Sequence, residues 1–341
     1  MKIRLKDCAC APAQHVAVLS EEPSTPLSFG NAPTSGPISV APTSSKVFED
    51  AVRGAGGSVV PLSDATRGLI WLSYREPHEL GAVLASHPGI SWVQLPFAGV
   101  DAFVDVIAND AGRSTVFTSA KGCYAQPVAE HALGLTLAVL RYLPRRARAI
   151  SWDSEPLGIS LYGKNVTIIG AGGIARELIR LLAPFGVNIF VVRRTASPVP
   201  GAARTVSVEH LDDVLPQTDV LILAAALTSS THTLIGAREL GLMKATAGLV
   251  NISRGALVDS EALAEAVVAG RLTGAAVDVT DPEPLPDGHV FWTTPNMLVT
   301  PHMADTPEMI APLLAVRIGE NVKAFLAGTA FVGFVDKNVG Y

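Results

Sequence analysis

From Lys164 onward the chain alternates between short apolar runs and helical stretches, and this alternation constrains the fold more than any other feature. The runs are Asn165–Ile169, Val187–Val192, Asp219–Ala224, Gly248–Asn251, Gly274–Val277 and Met297–Val299. Strands buried on both faces read as near-continuous apolar runs, so six of them separated by helices predict a parallel sheet covered on both sides. One of those helices is well punctuated, with Asp259 at the N-cap, an Ala- and Leu-rich body to Ala269, and Gly270 at the stop. Earlier in the chain, Ile38–Val40, Ser58–Val60, Leu69–Leu72 and Trp92–Leu95 predict a second set of strands with helical stretches between them. One further candidate strand, Val16–Leu19, precedes residues 20–45, whose Pro, Ser, Thr and Gly content reads as irregular and extended or mobile. A length of 341 residues suits two domains, because single cores stop growing near roughly 250 to 300 residues.

Composition excludes several function classes. The net charge is −5 and Lys and Arg are scattered, so no basic stripe exists to neutralise a nucleic-acid backbone. Runs such as Ala132–Leu140 and Val220–Leu227 are far shorter than the ~20 residues of a membrane span. Lys2, Arg4 and Lys6 precede no apolar stretch of signal-peptide length, which disfavours secretion and favours a cytoplasmic location. Cys8 and Cys10 form a C-x-C pair and Cys123 stands alone, a spacing that suits neither a disulfide framework nor a metal site. A chain that is 48% apolar and 17% charged has a lightly charged surface, which favours an oligomer.

Gly170-Ala171-Gly172-Gly173-Ile174-Ala175 fits G-x-G-x-x-A between an apolar strand and a helix-like stretch from Arg176 to Ala183. Gly170 permits a tight turn, Gly172 lets the backbone approach a pyrophosphate, and Ala175 lets the helix pack closely, leaving a helix N-terminus for phosphate. With Gly173 and Ile174 these residues form the candidate cofactor loop. The next strand ends in Arg193-Arg194-Thr195, where an NAD-selective site has an acidic residue on the ribose. Two guanidiniums and a hydroxyl suit a 2′-phosphate, so NADP is expected in preference to NAD.

Three chemistry-bearing residues lie on loops that follow later strands. Arg254 sits after Gly248–Asn251, at the carboxyl end where ligands bind in open α/β sheets, and can hold a carboxylate while polarising a carbonyl. Glu283 and His302 leave the next two strands and can pair, the carboxylate orienting the ring and favouring its protonated form for acid and base work. The other histidines (His15, His78, His87, His131, His210, His232 and His289) are expected to be structural.

In this order, Phe97-Ala98-Gly99-Val100-Asp101, Pro127-Val128-Ala129-Glu130-His131-Ala132, the glycine loop, the Arg254 loop, Asp278 with Glu283, and Thr300-Pro301-His302 resemble the D-isomer-specific 2-hydroxyacid dehydrogenase family. The resemblance covers the chain from about Trp92 to Lys323. It implies a Rossmann-type nucleotide domain, residues 125–302, inserted into a smaller flavodoxin-like α/β substrate domain formed by residues 1–124 and 303–341. It also implies a homodimer through the helix near Pro127–Tyr142 and its flanking arm. By the same resemblance Arg254, with the Ala98, Gly99 and Val100 backbone, receives the substrate, His302 transfers the proton and Glu283 pairs with it. Asp278 is similar to the residue that holds the nicotinamide carboxamide, and Thr228, in a loop where Ala226 replaces the usual proline, is grouped with the cofactor contacts. The substrate expected is glyoxylate, hydroxypyruvate or a similar 2-keto acid. Leu72 stands where phosphoglycerate-specific relatives carry Arg, which disfavours that substrate, and the pair Trp71 and Tyr74 suggests an apolar side chain. A dinucleotide-sensing corepressor-like binding protein on the same fold is the alternative.

Overall fold

The computed structural model describes residues 33–73, 77–110 and 112–336. The candidate strand Val16–Leu19, together with Cys8, Cys10, His15 and Tyr74, lies outside the described residues. The N-terminal unit is a parallel sheet of β1 (Ile38–Ala41), β2 (Gly68–Trp71), β3 (Trp92–Gln94) and β4 (Val116–Thr118), in that spatial order. With it come helices α1 (Lys46–Gly54), α2 (Pro77–Ser86) and α3 (Val104–Asn109). Ser58–Val60 is not a strand, contrary to expectation. It makes a single bridge, Val59 to Ile38, and stops because Pro61 has no N–H to continue a ladder. The unexpected β4 is three buried residues flanked by polar ones, too short for a periodic signal.

The second unit holds all six expected strands and one more. These are β5 (Asn165–Ile169), β6 (Asn188–Arg193), β7 (Arg204–Ser207), β8 (Val220–Leu223), β9 (Gly248–Asn251), β10 (Gly274–Val277) and β11 (Met297–Val299). The spatial order is β11-β10-β9-β8-β5-β6-β7, with every neighbouring pair parallel. The extra strand β7 is an edge strand in which only Val206 is buried, so it carries no apolar run to find. Helices α4 (Ala125–Leu140), α5 (Leu143–Ala147), α6 (Gly173–Leu182), α7 (Leu211–Val214), α8 (Ala237–Leu242) and α9 (Ser260–Val268) accompany the sheet, and α10 (Pro307–Ala327) follows it. All four residues of β8, β9 and β10 are buried, and each large apolar side chain so placed contributes roughly 1.5 to 3 kcal/mol. The Asp259 side chain caps α9 as expected, accepting from the Ala262 N–H at 3.0 Å.

The chain crosses between the units twice. Helix α4 packs on α6 and against β9, β10 and β11. Helix α10 returns to pack on α1, and Phe325 and Phe331 lie 5.0 and 5.5 Å, ring to ring, from Trp92 of β3. The fold is therefore a Rossmann-type domain inserted into a smaller α/β domain. Its strand order reverses between β5 and β8, which leaves a crevice above their carboxyl ends. No described helix is long and apolar enough to cross a membrane.

Candidate active site

The glycine loop lies at the reversal point. Gly170 has φ +115°, and a Cβ there would collide with the Ala224 carbonyl at the end of β8, so only glycine lets these strands close together. Its N–H donates to the Val192 carbonyl at 2.8 Å, tying the loop to the end of β6. Gly172 is the N-cap of α6 and no side chain caps the helix, so its first-turn N–H groups stay available to an outside acceptor. A Cβ at Gly172 would enter open space, leaving room for a ligand to approach the backbone. Gly173 and Ile174 begin α6 and Ala175 is fully buried beneath it. This uncapped, side-chain-free helix start at the switch point suits a dinucleotide pyrophosphate.

Arg193 is the last residue of β6, half-buried and in register with Ser207, while Arg194 and Thr195 are exposed on the loop beyond. The loop after β8 folds on hydroxyls: Thr231 accepts from the Thr228 N–H at 2.7 Å and donates to the Ala226 carbonyl at 2.8 Å. Thr228 Oγ1 is 3.0 Å from Ser230 Oγ, so this site residue is placed by its own turn.

Asn251, buried at the end of β9, shapes the Arg254 loop. Its Nδ2 donates to the Arg254 carbonyl at 2.9 Å, and its Oδ1 accepts from the Ser253 N–H and hydroxyl. The guanidinium donates through Nη1 to the Ser253 carbonyl, and through Nε and Nη2 to Asp101 Oδ2 at 3.1 and 2.7 Å. Asp101 belongs to the other domain, so the pair spans the crevice. A Cβ on Gly99 would strike Arg254 Nη2, which places the Ala98–Val100 backbone directly against the guanidinium. Asp101 is a partner that the residue pattern alone did not single out, although it closes the quoted Phe97–Asp101 motif.

Glu283 and His302 meet as expected, with Glu283 Oε1 2.6 Å from His302 Nδ1 and both side chains partly open to solvent. Arg254, Glu283 and His302 follow three adjacent strands, β9, β10 and β11, and so share one edge of the crevice. His302 has φ +53°, a left-handed conformation uncommon outside glycine. Its N–H donates to the Asp278 carbonyl at 2.7 Å.

The Asp278 side chain turns into the protein, only 2% exposed. Its Oδ1 accepts from Thr300 Oγ1 at 2.6 Å and the Met303 N–H at 3.0 Å, and its Oδ2 from the Ala304 N–H at 3.2 Å. Burial pushes this carboxyl up, but the bonds from His131, Thr300 and Met303 outweigh it and hold the group below the usual carboxylate range. Burial raises nearby Asp305, with His302 pulling the other way and Asp278 adding to the rise.

Among the other histidines, His87, His210 and His289 hold partners within their own turns. His131 instead reaches from α4 to Thr300 at 3.1 Å and lies 3.4 Å from Asp278 Oδ1, so it belongs to the site's support. The Pro127–Ala132 motif was the available signal. Trp71 is 1% exposed within the sheet core, so it cannot line a substrate pocket as the aromatic reading required. Cys123 is buried and its thiol pushed up to about 11, so it stays protonated and chemically idle near neutral pH. No cluster among the described residues could hold a metal ion.

Residues 133–304 match the family described as D-isomer specific 2-hydroxyacid dehydrogenase, NAD binding domain. A glyoxylate reductase of Thermococcus gammatolerans is 31% identical over 76% of this chain and 80% of its own. The chain belongs to the D-isomer specific 2-hydroxyacid dehydrogenase family. An uncharacterized protein encoded in the proB 3′ region of Corynebacterium melassecola is 38% identical, over 74% of this chain and 84% of its own. The crystal structure of a family member from Xanthobacter autotrophicus Py2, in complex with NADPH and MES, superposes with a TM-score of 0.76. It is 26% identical and covers 90% of this chain and all of that one. This family member is thus an oxidoreductase, of a kind that reduces keto acids with a nicotinamide cofactor. The corepressor-like reading gains nothing from these relatives.

Proposed function

We propose that this dehydrogenase reduces a small 2-keto acid, glyoxylate or hydroxypyruvate foremost, to the D-2-hydroxy acid, and uses NADPH in preference to NADH. The observation that carries the reading is the Glu283–His302 pair at 2.6 Å, on the crevice edge where Arg254 also stands. The names of the reductase relatives support the substrate class, and Arg193 with Arg194 supports the 2′-phosphate. In this reading residues 125–302 form the nucleotide domain, residues 1–124 and 303–341 the substrate domain, and the enzyme is a cytoplasmic homodimer.

The glycine loop with Ile174 would hold the pyrophosphate, Arg193, Arg194 and Thr195 the 2′-phosphate, and Thr228 the adjoining part of the cofactor. The chemistry supplied by the bound cofactor is hydride transfer to C2 of the keto acid. Arg254 provides the carboxylate site. Its Nε and Nη2 edge, held by Asp101 in this structure, matches a carboxylate, so substrate entry exchanges one anion for another. The Ala98–Val100 backbone closes the same pocket. Glu283 accepts from Nδ1–H, which leaves Nε2 of the protonated ring to give its proton to the oxygen that gains charge. Positioning and charge stabilisation supply most of the rate.

The test is a turnover assay with NADPH across a panel of 2-keto acids, run on wild type, Arg254→Lys and Arg254→Ala. Lys cannot copy a bidentate contact, so Arg254→Lys should lose most of kcat/KM with cofactor affinity near wild type. Activity within a few-fold of wild type in Arg254→Ala would reject the assignment.

A further inference from the structure

Thr300 Oγ1 lies 2.6 Å from Asp278 Oδ1 and 3.1 Å from His131 Nε2. An ionised carboxylate only accepts, and a hydroxyl has one proton to give. Thr300 therefore donates to Asp278, and its oxygen must accept from His131 Nε2–H. The chain of bonds runs from His131 through Thr300 to Asp278, and it sets the His131 tautomer.

The far end of that chain grips the catalytic loop. The Asp278 carboxylate accepts the N–H groups of Met303 and Ala304, and its carbonyl accepts that of His302. One buried residue thus holds three consecutive main-chain donors and keeps His302 in its left-handed conformation, which persists only where the surroundings over-determine it. His131 is the one member of this network that comes from α4, and it is partly accessible, 24% exposed.

We propose that His131 is a positioning residue for His302, acting through Thr300 and Asp278 to aim the imidazole at the substrate oxygen. The inference rests on His302 being the proton donor, as argued above. A group that only aims the donor acts on proton delivery rather than on ground-state binding, so kcat should move while KM does not.

The experiment compares His131→Leu, His131→Gln, Thr300→Val and the double variant His131→Leu/Thr300→Val in NADPH-driven reduction of glyoxylate, with His302→Ala alongside. His131→Leu should lower kcat about tenfold, with KM for glyoxylate and the Kd of NADPH within about twofold of wild type. Its solvent isotope effect on kcat should rise as proton delivery becomes more rate-limiting. His131→Gln places an amide N–H where Nε2–H stood and should recover kcat to within about threefold of wild type. Thr300→Val, which keeps the side-chain shape, should match His131→Leu, and the double variant should fall no further than either single one, since all three break one chain. If His131→Leu does not fold, Thr300→Val carries the comparison. In cofactor-free protein, 15N correlation spectra should show the ring missing from His131→Gln as the Nε2–H tautomer in wild type. Wild-type kcat in both His131→Leu and Thr300→Val, additive losses in the double variant, or an Nδ1–H tautomer would overturn the proposal. An active His302→Ala would strike the proton-donor assignment itself and this inference with it. An inactive His302→Ala beside a wild-type His131→Leu would remove the inference alone.

Discussion

At the scale of single residues, the crevice is governed by contacts too close for ordinary side chains. Gly99 is the plainest case, because any Cβ there would sit on the Arg254 guanidinium. Gly99→Ala should push that guanidinium from its place and cut kcat/KM by more than about tenfold while NADPH affinity holds, since the glycine loop lies on other elements. Parallel steady-state kinetics and cofactor titration check it; equal losses in both would place Gly99 outside the substrate pocket. A second residue-scale prediction concerns Arg193 at the end of β6. An Asp there repels a 2′-phosphate, whereas a charged hydrogen bond from Arg contributes about 1.5 to 3 kcal/mol, a roughly ten- to hundredfold preference that weakens with salt. The ratio of kcat/KM for NADPH and NADH should invert in Arg193→Asp. Wild-type protein that used NADH equally well would rule the preference out.

At the scale of elements, the β10–β11 edge depends on one carboxylate. Asp278 is buried between donors from Thr300, Met303 and Ala304, and its folded pKa is depressed below the ordinary value of 3.8. A depressed folded pKa gives stability that is fully present above the unfolded value and is lost as pH falls through the folded one. In Asp278→Asn the amide turns one donor face toward N–H groups, so this variant should be less stable than wild type by about 1 to 3 kcal/mol at pH 7. The gap should close toward pH 3 and below, where the wild-type carboxyl takes up a proton as well. Thermal unfolding of both proteins from pH 7 to pH 3 reads this directly, and a constant gap would mean that the fold leaves the Asp278 carboxyl at its unfolded pKa. This element also marks where sequence reasoning reached and where it stopped. The six expected strands of the second sheet were legible because burial writes an apolar run, on both faces in β8, β9 and β10, and Arg254, Glu283 and His302 were legible because each follows such a run. Strands β4 and β7 were not, being short or half-exposed. The Asp101–Arg254 pair joins residues 153 positions apart, and His131 and Thr300 are 169 apart. No local pattern encodes such a distance, so the support of the site emerged only with the fold.

At the scale of the whole molecule, the region after α4 has apolar surface that the monomer does not cover. Leu143, Ile150, Trp152 and Tyr162 are all exposed, Ile150 and Trp152 almost completely so. They lie on or beside a segment that is pinned rather than loose: Arg145 binds Asp153 and Glu155, and Arg146 donates to the carbonyls of Asp153, Glu155 and Leu157. A pinned arm that shows a Trp and an Ile to solvent gains most from a second copy, since each aromatic buries about 150 to 250 Å² and Trp is enriched among residues that dominate interfaces. The same arm leads from α5 into the amino end of β5, which would let a dimer form without blocking the crevice at the opposite, carboxyl ends of the strands. Wild-type protein should therefore sediment as a homodimer at micromolar concentration. Trp152→Ala removes an anchor of about 2 kcal/mol or more, so its dimer dissociation constant should rise by roughly thirtyfold or more. Sedimentation velocity over a dilution series of both proteins measures this, and a wild-type chain that ran as a monomer at tens of micromolar would refute the arm as an interface.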